Sequence, residues 1–337
     1  LKEYSINGVP YLDKESLQLV CYDDTHNPWG FGKKDSFSKK NFQLLTPHET
    51  AEYCGLSEKV IPAVRIIEDG EVRTTVEAAF GLHNSKAYIR YQMPKEGSSF
   101  DIEIGVHFME KENYLKAILK TPESFEAFYG QIMFGREMLK KGKETVSQKW
   151  IMVKDNVSNK ALAVINNGTY GASYTEQELG IPLLRSAGYT SADFIMGKAL
   201  QEEQWAPRME QGERFYRFRI CGGPVSEIDN TIDREAVAFN EEPYGFSYCP
   251  LEEGNRSGQF ITIDNPRVIV SAVKKAENFE GYILRLYEST GKRAEANIRI
   301  LDGEIEEKVL LNGFEVKTYK IDMDGKCLIE TGLIEDF

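Results

Sequence analysis

The feature that most constrains this chain is a period of two. In "DIEIGVHF" (101–108) Ile102, Ile104, Val106 and Phe108 fall on one face, and Asp101, Glu103 and His107 fall on the other. The segment "FYRFRI" (215–220) repeats the arrangement, with Tyr216, Phe218 and Ile220 set against Arg217 and Arg219. Such a strand covers a core with one side and meets solvent with the other, which is the habit of antiparallel sheets. Further strands are predicted at "LQLVCY" (17–22), "AVRII" (63–67), "AYIRYQM" (87–93), "ALAVIN" (161–166), "VIVSAV" (268–273), "YILRLYE" (282–288) and "VKTYKI" (316–321). Glycine and asparagine turn chemistry separates them, as in "EDGE", "NNGTYG", "STGK" and "MDGK". "VIVSAV" and "YILRLYE" carry apolar residues on both faces, which predicts cover on both sides. Helical patterns are few and short, around 46–58 and 194–204. The chain reads as an all-β protein of stacked sheets.

At 337 residues it exceeds the roughly 250–300 at which one core stops growing, so a large domain and a smaller one are expected. The polar stretch "PLEEGNRSGQ" (250–259) is the expected boundary, giving domains over 1–255 and 260–337. The sequence has no repeat of fixed period and no low-complexity tract.

Lys and Arg number 41 against 53 Asp and Glu, a formal charge of −12 that disfavours nucleic acid and anionic membrane as partners. That charge also decides how "RFYRFRI" is read. Its arginines are taken as long side chains on a solvated strand face rather than a nucleic-acid surface. The five cysteines (Cys21, Cys54, Cys221, Cys249, Cys327) form no CxxC pair and are odd in number, so they read as free thiols of a reducing, cytoplasmic compartment. The chain opens at Leu1 with no basic-then-apolar leader, and is expected to be a piece of a longer one.

Catalytic patterns are sparse. The histidines, His26, His48, His83 and His107, lie 22, 35 and 24 residues apart, without the HxH or HExxH spacing of metal ligands. No GxSxG elbow is present. In "RICGGPVSE" (219–227) the paired glycines could cradle an anion or form a strand exit, and the strand exit is the commoner use. Acid pairs for glycoside chemistry meet only in the fold and cannot be found by spacing.

Several stretches, in order, resemble one family. "IIEDGEVRTTVEA" (66–78), "VHFMEKENYLKAIL" (106–119), "ALAVINNGTYGAS" (161–173), "GIPLLRSAGY" (180–189) and "MEQGERFYRFRI" (209–220) are followed by "YILRLYESTGKR" (282–293) and "LNGFEVKTYKI" (311–321). Together they resemble the C-terminal β region of the glycoside hydrolase family 38 α-mannosidases. One departure is Phe108, where the family more often has tryptophan.

The resemblance implies a large supersandwich of the galactose-mutarotase type followed by a small C-terminal β-sandwich. It also implies a catalytic domain elsewhere in the parent chain, holding zinc, its His and Asp ligands, and the aspartate nucleophile of a retaining mechanism. No segment here resembles that part, so no catalytic residue, metal ligand or bound cofactor is expected in these residues. The expected partners are the parent's own N-terminal catalytic domain and its mannosides or oligosaccharides, and the reading leaves room for a homo-oligomer. The alternative is an autonomous carbohydrate-binding module or aldose mutarotase, which needs a histidine and a carboxylate meeting in one cleft.

One stretch, "CYDDTHNPWGFG" (21–32), could be a metal site, a sugar platform or a furnished turn. A metal would need ligands that a single histidine and two adjacent acids do not supply. The family shows an Asp-Thr-Trp pattern near here, matched by Asp24 and Thr25, with three residues inserted before Trp29. Two readings follow. Asp24 caps a turn over a packed Trp29, or Asp24, Thr25 and Trp29 reach the rim of the substrate pocket.

Overall fold

The computed structural model describes residues 1–24, 28, 38–56, 58–188, 207–247, 257–277 and 280–335. The chain divides into two compact units. One is Leu1–Phe128 with Leu139–Gly223, and the other is Tyr129–Met138 with Pro224–Phe337. The stretch expected to join the domains lies outside the described residues at 250–256, as does the expected helix at 194–204.

Two large antiparallel sheets and a two-stranded one, Tyr4–Ile6 with Val9–Leu12, make the first unit. Within this unit the strands of the larger run in the order Trp150–Asp155, Lys160–Asn166, Gly212–Gly223, Phe100–Phe108, Ser85–Pro94, Arg73–Leu82 and Gln43–Leu44, with Val64–Asp69 also paired to Arg73–Leu82. The smaller has six strands, in the order Glu144–Val146, Gly171–Thr175, Glu178–Arg185, Asn113–Lys120, Gln18–Asp23 and Lys39–Asn41. The period-two segments behave as the sequence predicts. Ile102, Ile104, Val106 and Phe108 are buried while His107 is exposed. Ile89, Ile104 and Phe218 from the larger sheet join Leu115, Leu119 and Ile181 from the smaller in one apolar cluster, so the sheets pack face to face as a sandwich.

Close backbone approach fixes two positions on this unit. Tyr88 lies so flat over Gly105, its cross-strand partner, that a Cβ there would stand 2.4 Å from the ring. Gly222 in the "CGG" stretch packs under Tyr4 and Tyr11 and donates its N–H to the Tyr4 hydroxyl at 3.1 Å. It forms part of the strand Gly212–Gly223, which is the strand-exit reading rather than an anion cradle. The helix Pro47–Tyr53 begins in a capping box, with Thr46 and Glu49 satisfying each other's backbone N–H groups and Pro47 in the first turn.

The second unit holds the helix Val225–Asn240, which the sequence reading does not anticipate. Its apolar stripe, Val225, Ile228, Ile232, Ala236 and Phe239, is buried. Arg136 from the hairpin Tyr129–Met138 points back to this helix, pairing with Asp233 and, at 3.4 Å, with Asp229. A small sandwich completes the unit. Three strands (Ile261–Ile263, Ala294–Ile300, Ile305–Leu311) face four (Val268–Lys275, Tyr282–Glu288, Val316–Asp322, Cys327–Thr331) across a core of Leu284, Leu286, Ile298, Ile300, Ile305 and Tyr319. The double cover expected of "YILRLYE" is found, since Ile283, Leu284, Leu286 and Tyr287 are all buried. In "VIVSAV" it is confined to Val268 and Ile269, with Val273 exposed, because that strand is the edge of its sheet.

The protein is therefore all-β with sandwich packing in each unit. Among the described residues no helix is long and apolar enough to cross a membrane.

Candidate functional site

The central strand of the six-stranded sheet, Asn113–Lys120, alternates its side chains in the usual way. Leu115, Ala117 and Leu119 enter the sandwich core, so Tyr114, Lys116 and Ile118 stand on the opposite, outer face. Those three are nevertheless buried as well. On that face lies a groove of about 680 Å³ lined by Tyr22, Lys39, Tyr114, Lys116, Glu144 and Glu178 among others. An adjoining hollow of about 360 Å³ shares Tyr114 and Glu144 with it and extends to Arg185 and Glu210.

Register assembles this face. Tyr22 is the Cα partner of Tyr114 on one side, and Arg185 is its partner on the other. A bulge between Leu115 and Lys116 shifts the pairing so that Lys116 faces Pro182. Pro182 is tolerated there because the bulge interrupts the ladder. Gly180 completes the floor: a Cβ at that position would lie 2.8 Å from Lys116 Cε and 2.9 Å from Ser173 Oγ. The missing side chain is what lets Lys116 lie across the neighbouring strand.

The floor is a hydrogen-bonded cluster. Glu144 Oε1 accepts from the Tyr114 hydroxyl at 2.7 Å and from Lys116 Nζ at 2.7 Å, and Nζ also donates to Ser173 Oγ at 2.8 Å. Both bonds to the carboxylate fall on Oε1. Its Oε2 receives none from a described residue. The Tyr22 ring lies 6.4 Å from that of Tyr114, with Lys39 Nζ 5.7 Å from the Tyr22 centroid. Burial, and then the carboxylates of Glu178 and Glu144, hold the Tyr22 hydroxyl above its usual range; burial and Glu144 do the same to Tyr114. Both phenols are therefore neutral donors at physiological pH. The lining holds two lysines against the three carboxylates Asp23, Glu144 and Glu178, so its charges nearly balance.

Of the residues singled out in the sequence, Asp24 stands at the end of the strand Gln18–Asp23. It is buried, its N–H donating to Glu112 O at 2.7 Å and its Oδ2 meeting Arg185 Nε at 2.5 Å. Arg185 belongs to the "GIPLLRS" stretch and borders the smaller hollow. Thr25 and Trp29 lie outside the described residues, and so does His26. His48, His83 and His107 are all exposed, and none bonds to an acid among the described residues. The clustering that a mutarotase needs is not formed by these three. Cys21, Cys54, Cys221 and Cys327 are free thiols, and Cys249 lies outside the described residues. Among the described residues no group of three His, Cys, Asp or Glu side chains gathers to hold a metal. The described side chains do not fit a zinc site.

The groove residues escape sequence reading. Tyr22, Tyr114 and Glu144 come from three strands that only the sheet order brings together. The one local signal is "NYLKAILK", where tyrosine and lysine alternate with residues that enter the core.

Comparison with known proteins adds to this geometry. Residues 7–193 match the glycosyl hydrolases family 38 C-terminal domain, and residues 267–331 match the glycosyl hydrolases family 38 C-terminal beta sandwich domain. Alpha-mannosidase G of Dictyostelium discoideum is 23% identical over 335 residues, an alignment that covers 90% of this chain and 27% of that protein. The crystal structure of an alpha-mannosidase from Enterococcus faecalis V583 superposes with a TM-score of 0.72 at 14% identity, covering 94% of this chain and 39% of the other. A glycosyl hydrolase family 38 protein from Enterococcus faecalis gives the same TM-score at 13% identity, covering 94% and 41%. The chain thus spans between about a quarter and two-fifths of the length of these relatives.

Proposed function

Because the chain belongs to glycosyl hydrolase family 38 and matches its two C-terminal domains in order, we propose that it is the non-catalytic β region of an α-mannosidase. In this reading the parent protein hydrolyses terminal α-mannosyl linkages, and these residues support its catalytic domain. The observation that carries it is the pairing of the two domain matches with the short span: the relatives carry long stretches that nothing here matches. Zinc and the nucleophile of the parent belong to such a stretch. The residues proposed for the rim of the sugar pocket are Asp24, Thr25 and Trp29; Asp24 is held by Arg185, and Thr25 and Trp29 lie outside the described residues.

The autonomous mutarotase reading is disfavoured by the exposed positions of His48, His83 and His107, none of which meets an acid among the described residues. The test is an assay of the 337-residue chain on an aryl α-mannoside, with and without added zinc. No turnover is expected in either case. Hydrolysis by the pure chain at a rate comparable to that of the full-length protein would overturn the proposal.

A further inference from the structure

The groove on the outer face of the six-stranded sheet is not explained by a supporting role. Its volume, about 680 Å³, lies within the range of small-molecule sites. A strand face that merely met solvent would expose Lys116, yet the side chain of Lys116 is only 10% exposed and is fixed by two hydrogen bonds. Positions are fixed there before anything binds.

We propose that this groove binds a neutral saccharide, with a pyranose ring packed against Tyr22 and its hydroxyls hydrogen-bonded to Glu144 and the Tyr22 phenol. Three observations choose the ligand. First, the unmet hydrogen-bonding capacity is mixed. Glu144 Oε2 is an acceptor, the Tyr22 hydroxyl is a donor, and neither is bonded to a described residue. A hydroxyl both gives and takes, so a polyol satisfies the two together. Second, the charges are already matched, since Lys116 and Glu144 neutralise each other and Lys39 lies 3.9 Å from Glu178. An anion or cation would have to break those pairs, whereas a neutral ligand leaves them intact. Third, the apolar part of the lining, with Ile118, includes the two aromatic rings of Tyr22 and Tyr114. A tyrosine ring offers a flat apolar surface with a polar edge, which suits a sugar presenting C–H bonds on one face and hydroxyls around its rim. The proposal goes beyond the α-mannosidase reading and stands without it, because nothing in the groove selects mannose over another hexose.

The experiment is calorimetric titration of the 337-residue chain with α-1,2-mannobiose, cellobiose and lactose in turn. At least one is expected to bind with a Kd of about 1 mM or tighter. Tyr22→Ala should weaken that binding about tenfold or more. Glu144→Gln and Tyr22→Phe, which keep the shape of the groove, should each weaken it roughly threefold to tenfold, the range of a single hydrogen bond. Phe215→Ala, at an exposed aromatic on the other sheet, should leave it unchanged. Thermal unfolding of each variant separates lost binding from lost fold. Absence of binding by all three sugars at about ten times that Kd would overturn the proposal. Binding that ignores Tyr22→Ala and Glu144→Gln alike would also overturn it, by placing the sugar elsewhere. The last arm measures hydrogen exchange of the full-length protein with and without the sugar. Protection of Gln18–Asp23 and Asn113–Lys120 on binding is expected, and unchanged exchange in both strands would overturn the proposal.

Discussion

Asp24 carries its charge in a buried position because Arg185 Nε meets it at 2.5 Å. Removing one member of such a pair strands the other in a low-dielectric setting, which typically costs about 3–5 kcal/mol. Asp24→Asn keeps the shape and loses the charge, so its cost is expected at the lower end, about 3 kcal/mol, measured by denaturant unfolding. Asp24→Asn combined with Arg185→Met should recover part of that loss, since the pair then leaves together. A destabilisation under about 0.5 kcal/mol would mean that the pair contributes as little as a surface one. The sequence makes Asp24 legible as an ordered acid after an apolar strand. It does not make its partner legible, because Arg185 stands 161 residues further along. The groove is hidden for the same reason. Nothing in their own segments ties Tyr22, Tyr114, Lys116 and Glu144 to one another, and only the sheet order and register place them on one face.

At the scale of elements, the strands are the legible part. Segments predicted at 101–108, 161–166, 282–288 and 316–321 fall within a residue or two of the observed strands, since alternation records burial directly. The helix Val225–Asn240 is recorded just as plainly. Its buried positions step by three, four, four and three residues after Pro224, a pattern that a search for period two passes over. What no local pattern reveals is that the hairpin Tyr129–Met138 lodges against that helix, a contact spanning some 97 residues. The join depends on Arg136, whose side chain is 6% exposed and reaches Asp229, Asp233 and the Ser289 carbonyl. Arg136→Ala leaves two acids facing a vacated site, and a loss of about 3–5 kcal/mol is expected in the second unit. Hydrogen exchange should show the loss at 225–240 before it appears in the strand Phe100–Phe108. Equal protection in both would refute the assignment of that arginine to the second unit's stability.

For the whole molecule, the net charge of −12 and the burial of its phenols govern how it responds to pH. Burial raises Tyr4, Tyr114, Tyr216, Tyr287 and Tyr319 above the usual phenol value, lifts Tyr91 to about 12, and lifts the Cys21 thiol from 9.0 to about 12. In each case the neutral form is the one the fold accepts. Because the folded values lie above the unfolded ones, this stabilisation is complete below the unfolded pKa and is lost as pH rises through the folded pKa. The unfolding midpoint should therefore hold from neutrality to about pH 9 and fall steeply toward pH 12, with tyrosinate absorbance rising in the same transition. Tyrosine ionisation completed near pH 10 with the fold intact would contradict that burial. In the proposed function, these residues support a catalytic domain of the parent protein that lies outside them. The most direct test expresses the remainder of the full-length protein with and without this chain supplied separately, and measures aryl α-mannoside hydrolysis after purification. The two parts are expected to co-purify, with activity appearing only when this chain is present. Full activity from the remainder alone, with no association between the two, would contradict it.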